Sequence, residues 1–363
     1  MKNWKKLMVV FASGAALAAC GNSEANLASS SSSSDASSTS SQASNGELIV
    51  STFALNQDTV ENIVMTPFEE ANGVSTVLEV GTASERLTKL ASGNSTVDVI
   101  ELSQINASQG DADGLFEEVT AEDVPNIDNL TDGAKEVLES GAGVPYAVNS
   151  IGIVYDPTTL GSEPKEWADL WSSDYEGQIA IPDIATTFGP AMVYVGSDYK
   201  GIDITTDNGE AGFQALSELK PNIVKTYEKS SDLVNMFQAG EIQVAVVADF
   251  AYEMIKEANP NAVYVVPESG TYANYNTVNL VKGSQNTDLA YDYINARISP
   301  ELEEQTAEQL NEAPVNTEVT LSDELAANKT YGDIAERAKT IDTTFVNENL
   351  ADWITNWNEI INQ

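Results

Sequence analysis

The sequence predicts an α/β fold of two lobes, each a mixed, mostly parallel sheet with flanking helices and a cleft between them. Three observations lead there. Short apolar runs alternate with amphipathic stretches of about ten residues, the pattern of βαβ units. The body from residue 47 to 363 is 317 residues long, more than one hydrophobic core usually holds. Gly143-Val-Pro-Tyr-Ala-Val-Asn-Ser-Ile-Gly-Ile-Val-Tyr155 is one long extended run with a proline near its start, suited to crossing between lobes.

The elements follow in order. Residues 47–53 predict a strand, 59–71 a helix, 74–80 a strand, 84–92 a helix and 97–102 a third strand. Beyond the crossing run, 178–182 and 241–247 read as strands. Between them, 230–238 reads as a serine-capped helix closed by Gly240. Two further strands are expected at 263–266 and 276–281. The rest is mainly helical, over 288–297, 300–310 and 347–361, the last placing Trp353 and Trp357 one turn apart on a buried face.

The first 46 residues have another character. Lys2, Lys5 and Lys6 precede an uncharged apolar stretch ending at Ala19. At about thirteen residues it is too short for a membrane span of roughly 20, so 1–19 reads as a secretory signal. It ends in Leu17-Ala18-Ala19-Cys20-Gly21, which resembles the bacterial lipobox, a signal in which the cysteine is acylated and the chain is cut before it. Cys20 is the single cysteine, so an intrachain disulfide or thiolate metal site is not expected. The serine run Ser29–Ser34 and its small polar flanks lack the apolar surface to offset chain entropy. Residues 20–46 therefore read as a lipidated cysteine and a disordered tether reaching roughly 25–30 Å.

Composition removes several classes of function. There is no histidine, which excludes Ser-His-Asp and Cys-His catalysis and His-containing metal sites. Cleavage before Cys20 would leave fourteen basic residues (17 less three lysines) against 56 acidic ones, a net charge of −42. Such a body repels nucleic acid and anionic head groups. No cofactor, metal or nucleic-acid partner is expected, and the chain reads as a monomer.

The segments Gly143-Val-Pro-Tyr146, Ser150-Ile-Gly-Ile-Val-Tyr155 and Glu166-Trp-Ala-Asp-Leu-Trp171 carry a resemblance. They are similar to those of the solute-binding proteins of bacterial ABC importers, nearest to the spermidine/putrescine-binding branch. The likeness continues through Tyr175-Glu-Gly177, residues 178–183, 241–249 and 267–281, and Ala313-Pro-Val-Asn316. It implies a type II periplasmic-binding-protein-like fold, with lobe 1 over 47–147 and 272–315. Lobe 2 then spans 148–271, with 316–363 packing on it. It also implies a lipid-anchored receptor outside the cell, handing a small organic solute to a permease and its ATPase rather than an enzyme. The anchor places it on the outer face of the cytoplasmic membrane, or on the periplasmic side in a Gram-negative cell.

Ligands of open α/β lobes meet loops at the carboxyl ends of strands. That rule nominates Thr52, Phe53 and Asn56, then Ser103, Gln104 and Asn106, and in lobe 2 Asp183 and Asp249. The two carboxylates suit ammonium groups through charge-assisted hydrogen bonds; the alternative is that they cap the helices that follow. In Thr271-Tyr-Ala-Asn-Tyr-Asn-Thr277, strand alternation puts Tyr272, Asn274 and Asn276 on one face. The resemblance implies a tryptophan and an aspartate at the positions of Asn274 and Asn276, and another tryptophan near Ala248 or Asp249. This chain departs from that pattern, so its cleft suits a ligand with polar groups of both kinds or less positive charge. Putrescine or spermidine remains the first ligand reading, ahead of a thiamine-like, phosphonate or other polar solute. Gly81-Thr-Ala-Ser84 opens a helix that offers free N–H groups to an anion or is a plain capped turn. Tyr272 and Tyr275 resemble tyrosinate iron ligands but fall on opposite strand faces. A tethered adhesin or signalling co-receptor is the other class that the anchor suits.

Overall fold

The computed structural model describes residues 46–54 and 56–362. The signal segment, Cys20 and the serine-rich tether up to residue 45 lie outside the described residues.

The chain enters through β1 (Glu47–Phe53) and a helix in three pieces, Gln57–Val60, a π turn Glu61–Met65, and Thr66–Asn72. Gly73, at φ 67°, ends it in the left-handed region that glycine adopts without strain. β2 (Ser75–Gly81) follows, then the helix Ala83–Ala91, begun by a capping box between Thr82 and Glu85. β3 (Val99–Ser103) passes directly into the helix Gln104–Ala112. The crossing run is β4 (Val144–Tyr155), buried along all twelve residues. Then come β5 (Ile179–Pro182), β6 (Ile223–Tyr227), β7 (Val244–Ala248), β8 (Val263–Val265), β9 (Thr271–Leu280) and β10 (Ala338–Thr340).

The sheet order is β2-β1-β3-β9-β4-β7-β5-β6, with β10 on β9 and β8 on β4. Pairs within each half are parallel: β1 with β2 and β3, and β5 with β6 and β7. The pairs made by β4 and the β3–β9 pair are antiparallel. One difference from the expected two sheets is that hydrogen bonding never stops between them. β4 pairs with β9 over Val144–Ser150 and with β7 over Ile151–Tyr155. Twelve extended residues reach about 40 Å, enough for one strand to serve both halves.

Two apolar cores lie on either side of this crossing. The first gathers Leu48, Val50, Phe68, Val99, Tyr146 and Ile294. The second gathers Ile153, Ile181, Met192, Leu216, Trp353 and Trp357, so the C-terminal helix Thr343–Ile360 belongs to it. Val319 and Leu321, earlier in the tail, cluster instead with Ala307. Within the second core the helices Gly189–Lys200 and Glu210–Leu219 touch backbone to backbone. A Cβ on Gly212 would stand 2.4 Å from the Val193 carbonyl oxygen.

Candidate functional site

The ends of β3 and β5 meet β9 at one gap between the two cores, which the end of β1 does not border. Gln104 and Ile105 after β3, Thr187 and Pro190 after β5, Asn274 on β9 and Thr343 in the tail line one cavity of about 10 Å³. That is room for about one water molecule. A wider hollow, about 630 Å³, sits on the second lobe alone between Lys225 and Glu241 and draws nothing from the first.

A chain of hydrogen bonds runs along the floor of this gap. The backbone N–H of Gln104 donates to Asn274 Oδ1 (3.2 Å), and Asn274 Nδ2 donates to Asn276 Oδ1 (3.1 Å). Asn276 Nδ2 donates to Asn149 Oδ1 (3.4 Å), whose Nδ2 donates to Asp249 Oδ1 (2.9 Å). The geometry comes from the register: Asn149 of β4 lies opposite Asn274 of β9, and Ala147 opposite Asn276. Asp249 also accepts from the N–H groups of Phe250 (2.8 Å), Thr330 (3.0 Å) and Ser150 (3.4 Å), and from Thr330 Oγ1 (2.6 Å). Its residue is 1 % exposed. Burial pushes its carboxyl up to about 6, against the pull of the Thr330, Asn149, Ser150 and Phe250 hydrogen bonds. The nearby Lys329, buried against Asn311, is held below the usual lysine range by the same loss of water.

The nominated residues thus fall into three groups. Gln104, Asn274, Asn276 and Asp249 meet in one network. Ser103 and Asn106 lie at the β3 end beside that network: the buried Ser103 Oγ donates to Asn106 Oδ1 (2.8 Å), and Asn106 Nδ2 reaches Ser84 Oγ (3.4 Å) at the start of the neighbouring helix. Asp183 is half-buried just after β5, with Oδ1 accepting from the Ala185 N–H (3.1 Å). The remaining four turn elsewhere. Thr52 points into the first core and donates to Glu101 (2.6 Å). Phe53 lies under the Arg86 guanidinium, 4.9 Å from its ring centre. Asn56 is exposed at φ 51°, starting a helix. Tyr272 sends its hydroxyl to Asp198 (2.6 Å), whose other partner is Lys339 (2.7 Å). Burial, with Asp198 second, raises that phenol, so Tyr272 is no tyrosinate at neutral pH.

Sequence reasoning missed Asn149, Thr330 and Asn311 as members of the floor network. Asn149 left a trace, as the one amide inside the apolar run from Val144 to Tyr155. Thr330 and Asn311 left none, because their partners come from 62 to 81 positions away. The Glu85 carboxyl, beside Ser84, is held below its usual range chiefly by hydrogen bonds from Thr82, with the Lys229 charge adding a smaller pull.

The model of the bacterial extracellular solute-binding proteins matches residues 64–332. Among curated relatives, the chain is 24% identical over 238 residues to the spermidine/putrescine-binding periplasmic protein of Escherichia coli, covering 62% of this chain and 66% of that protein. It is 25% identical over 285 residues to the gamma-aminobutyric acid-binding protein of Pseudomonas aeruginosa, covering 76% and 78%. A crystal structure titled an ABC transporter from Clostridium perfringens superposes with a TM-score of 0.78 at 49% identity, covering 86% of this chain and 99% of that one. With a matching family model over most of its folded body and both lobes facing one gap, the chain belongs to the bacterial extracellular solute-binding proteins.

Proposed function

We propose that this chain captures a small organic solute between its lobes and delivers it to an ABC permease and its ATPase. It would do so as a monomer tethered by lipid on Cys20 to the outer face of the cytoplasmic membrane, or on the periplasmic side in a Gram-negative cell. The observation that carries the reading is the shared lining. Segments from both lobes, Gln104–Ile105 and Thr187–Pro190, and β9 at Asn274 border one cavity. That cavity holds about one water, whereas small-molecule sites take roughly 300 Å³ or more. Entry then requires the halves, divided near residues 147 and 271, to part and close again. A solute touching both favours the closed population, which the permease distinguishes from the empty form.

The side chains favour one ligand class within this role. A diamine needs an acceptor at each end, but Asp249 is spent on five internal donors, Asn274 Oδ1 on the Gln104 N–H and Asn276 Oδ1 on Asn274. Asp183 keeps a carboxylate oxygen for one ammonium group, and the hydroxyls of Ser84 and Thr187 suit an anionic or acceptor-rich second end. A solute with one amine and one such end, as in 4-aminobutyrate or an aminophosphonate, fits this inventory better than putrescine or spermidine. Titration calorimetry with putrescine, spermidine, 4-aminobutyrate and 2-aminoethylphosphonate tests it. Heat is expected with one of the last two, weakened about 10- to 100-fold by Asp183→Asn. Heat with the polyamines alone overturns the single-amine reading, and silence from all four overturns amine capture. For the anchor, labelled palmitate is expected in the wild-type chain and absent from Cys20→Ala.

A further inference from the structure

The C-terminal helix Thr343–Ile360 holds to both lobes at once. Its anchor is in the second. Trp353 is 1 % exposed, donates from Nε1 to the Asn208 carbonyl (2.8 Å) and meets Tyr194, Phe213 and Phe345 edge-on. Trp357, one turn on, is fully buried in the same core. The other end of the helix reaches the first lobe. Thr343 Oγ1 donates to Ser108 Oγ (3.0 Å), and Asn347 Nδ2 donates to the Ile105 carbonyl (3.1 Å). Thr343 and Asn347 are four apart and Ile105 and Ser108 three apart, so each pair shares one helix face. The Ile105 side chain packs against the second core.

Where this contact sits decides what it does. Thr343 and Ile341 border the same cavity as Gln104, Ile105 and Thr187. The helix therefore bridges the lobes at that cavity, next to Ala273 and Asn274 of β9. Moving Gln104–Ala112 away from the second lobe pulls these bonds apart, whereas β4 and β9 run through the joint and need not break. The helix it grips, Gln104–Ala112, starts with Gln104 on the floor network and carries Asn106 beside it.

We propose that the first turns of the C-terminal helix form a clasp that biases the unliganded protein toward the closed arrangement, with Thr343 and Asn347 as its positioning residues. The proposal rests on the lobe-closure reading above. Because the closed form already holds the clasp, part of the cost of closing is met before solute binds, which raises apparent affinity and slows entry. Both bonds are between neutral groups, so the bias does not depend on salt in the way an ion pair would.

The test compares the full chain with the double variant Thr343→Ala/Asn347→Ala by small-angle X-ray scattering and amide hydrogen exchange without solute. The variant is expected to scatter with a larger radius of gyration. Amides of Gln104–Ala112 should exchange about 5- to 30-fold faster, the scale of two lost hydrogen bonds. Protection around Trp353 should persist, showing an intact fold, and Thr343→Ser should scatter like wild type. Local loosening alone would not move the radius of gyration. Identical scattering by wild type and double variant, with either one responding to any of the four solutes above, overturns the clasp alone. Identical scattering with no response to any of them overturns lobe closure and the clasp with it.

Discussion

Beneath β1, a single charged cluster ties the first lobe together. Glu101 accepts from Arg297 Nε (3.2 Å), Tyr293 (2.9 Å) and Thr52 (2.6 Å), and Arg297 also holds Glu312 (3.0 Å) while lying 3.8 Å over the Tyr146 ring. Both partners of the Glu101 pair are about 3 % exposed. Arg297→Met would strand two carboxylates out of water and is expected to cost about 3–5 kcal/mol in chemical denaturation. Glu303 offers a pH-dependent counterpart. Burial pushes its carboxyl up to about 8 from 4.5, despite hydrogen bonds from the Asn316 and Val315 N–H groups. A raised folded-state value means the native form holds the proton more tightly. Its contribution is therefore full below about pH 4.5 and is lost as pH rises through 8. Glu303→Gln should stabilise on the order of 1–3 kcal/mol at pH 9 and far less at pH 5, read from melting curves at both. At this scale the sequence was only partly legible. Asn274 and Asn276 stood out by residue type and alternation. The bonds of Asn276 to Asn149, of Asn274 to the Gln104 N–H and of Thr52 to Glu101 depend on partners 49 to 170 positions away, which no local pattern encodes. A lone glutamate in the strand Val99–Ser103 was the visible sign of the cluster.

Elements were legible where an apolar run or a helical stripe is bounded by turn residues. The predicted limits of β1, β2, β3 and the helices between them fall within about two residues of those found, although β3 is buried at all five positions. Gly189–Lys200 is buried from Gly189 through Ser197, so it shows no helical stripe and was not foreseen. The helix Glu210–Leu219, strand β6 and the 3-10 turn Trp167–Trp171 were also missed. The first two of these helices meet through glycines, which sequence periodicity does not weigh. Gly212→Ala pushes a methyl against the Val193 carbonyl and Ser197 and is expected to cost about 1–3 kcal/mol. Its melting midpoint should fall while scattering of the folded protein stays the same.

The whole molecule is strongly acidic, with a net charge of −39 over the full sequence. A field of that sign concentrates cationic solutes near the surface and is weakened by added salt. For a solute whose amine leads, the association rate should fall several-fold between 0.05 and 0.5 M NaCl in stopped-flow mixing, with dissociation little changed. A rate indifferent to salt would mean that the charge serves solubility rather than capture. The two-lobed class was readable from length, alternation and the crossing run. The fusion of both halves into one hydrogen-bonded sheet was not, because it depends on how β4 divides its partners between β9 and β7.

That fusion has a mechanical consequence. Where two bodies are joined by flexible loops, turning one against the other concentrates the bend in a few dihedral angles. Here the joint is bonded ribbon, so a rotation spreads as added twist over many peptide units, each moving a few degrees, in the manner of a torsion bar. No ladder bond need rupture in a cycle. The spring should return the same way after every delivery.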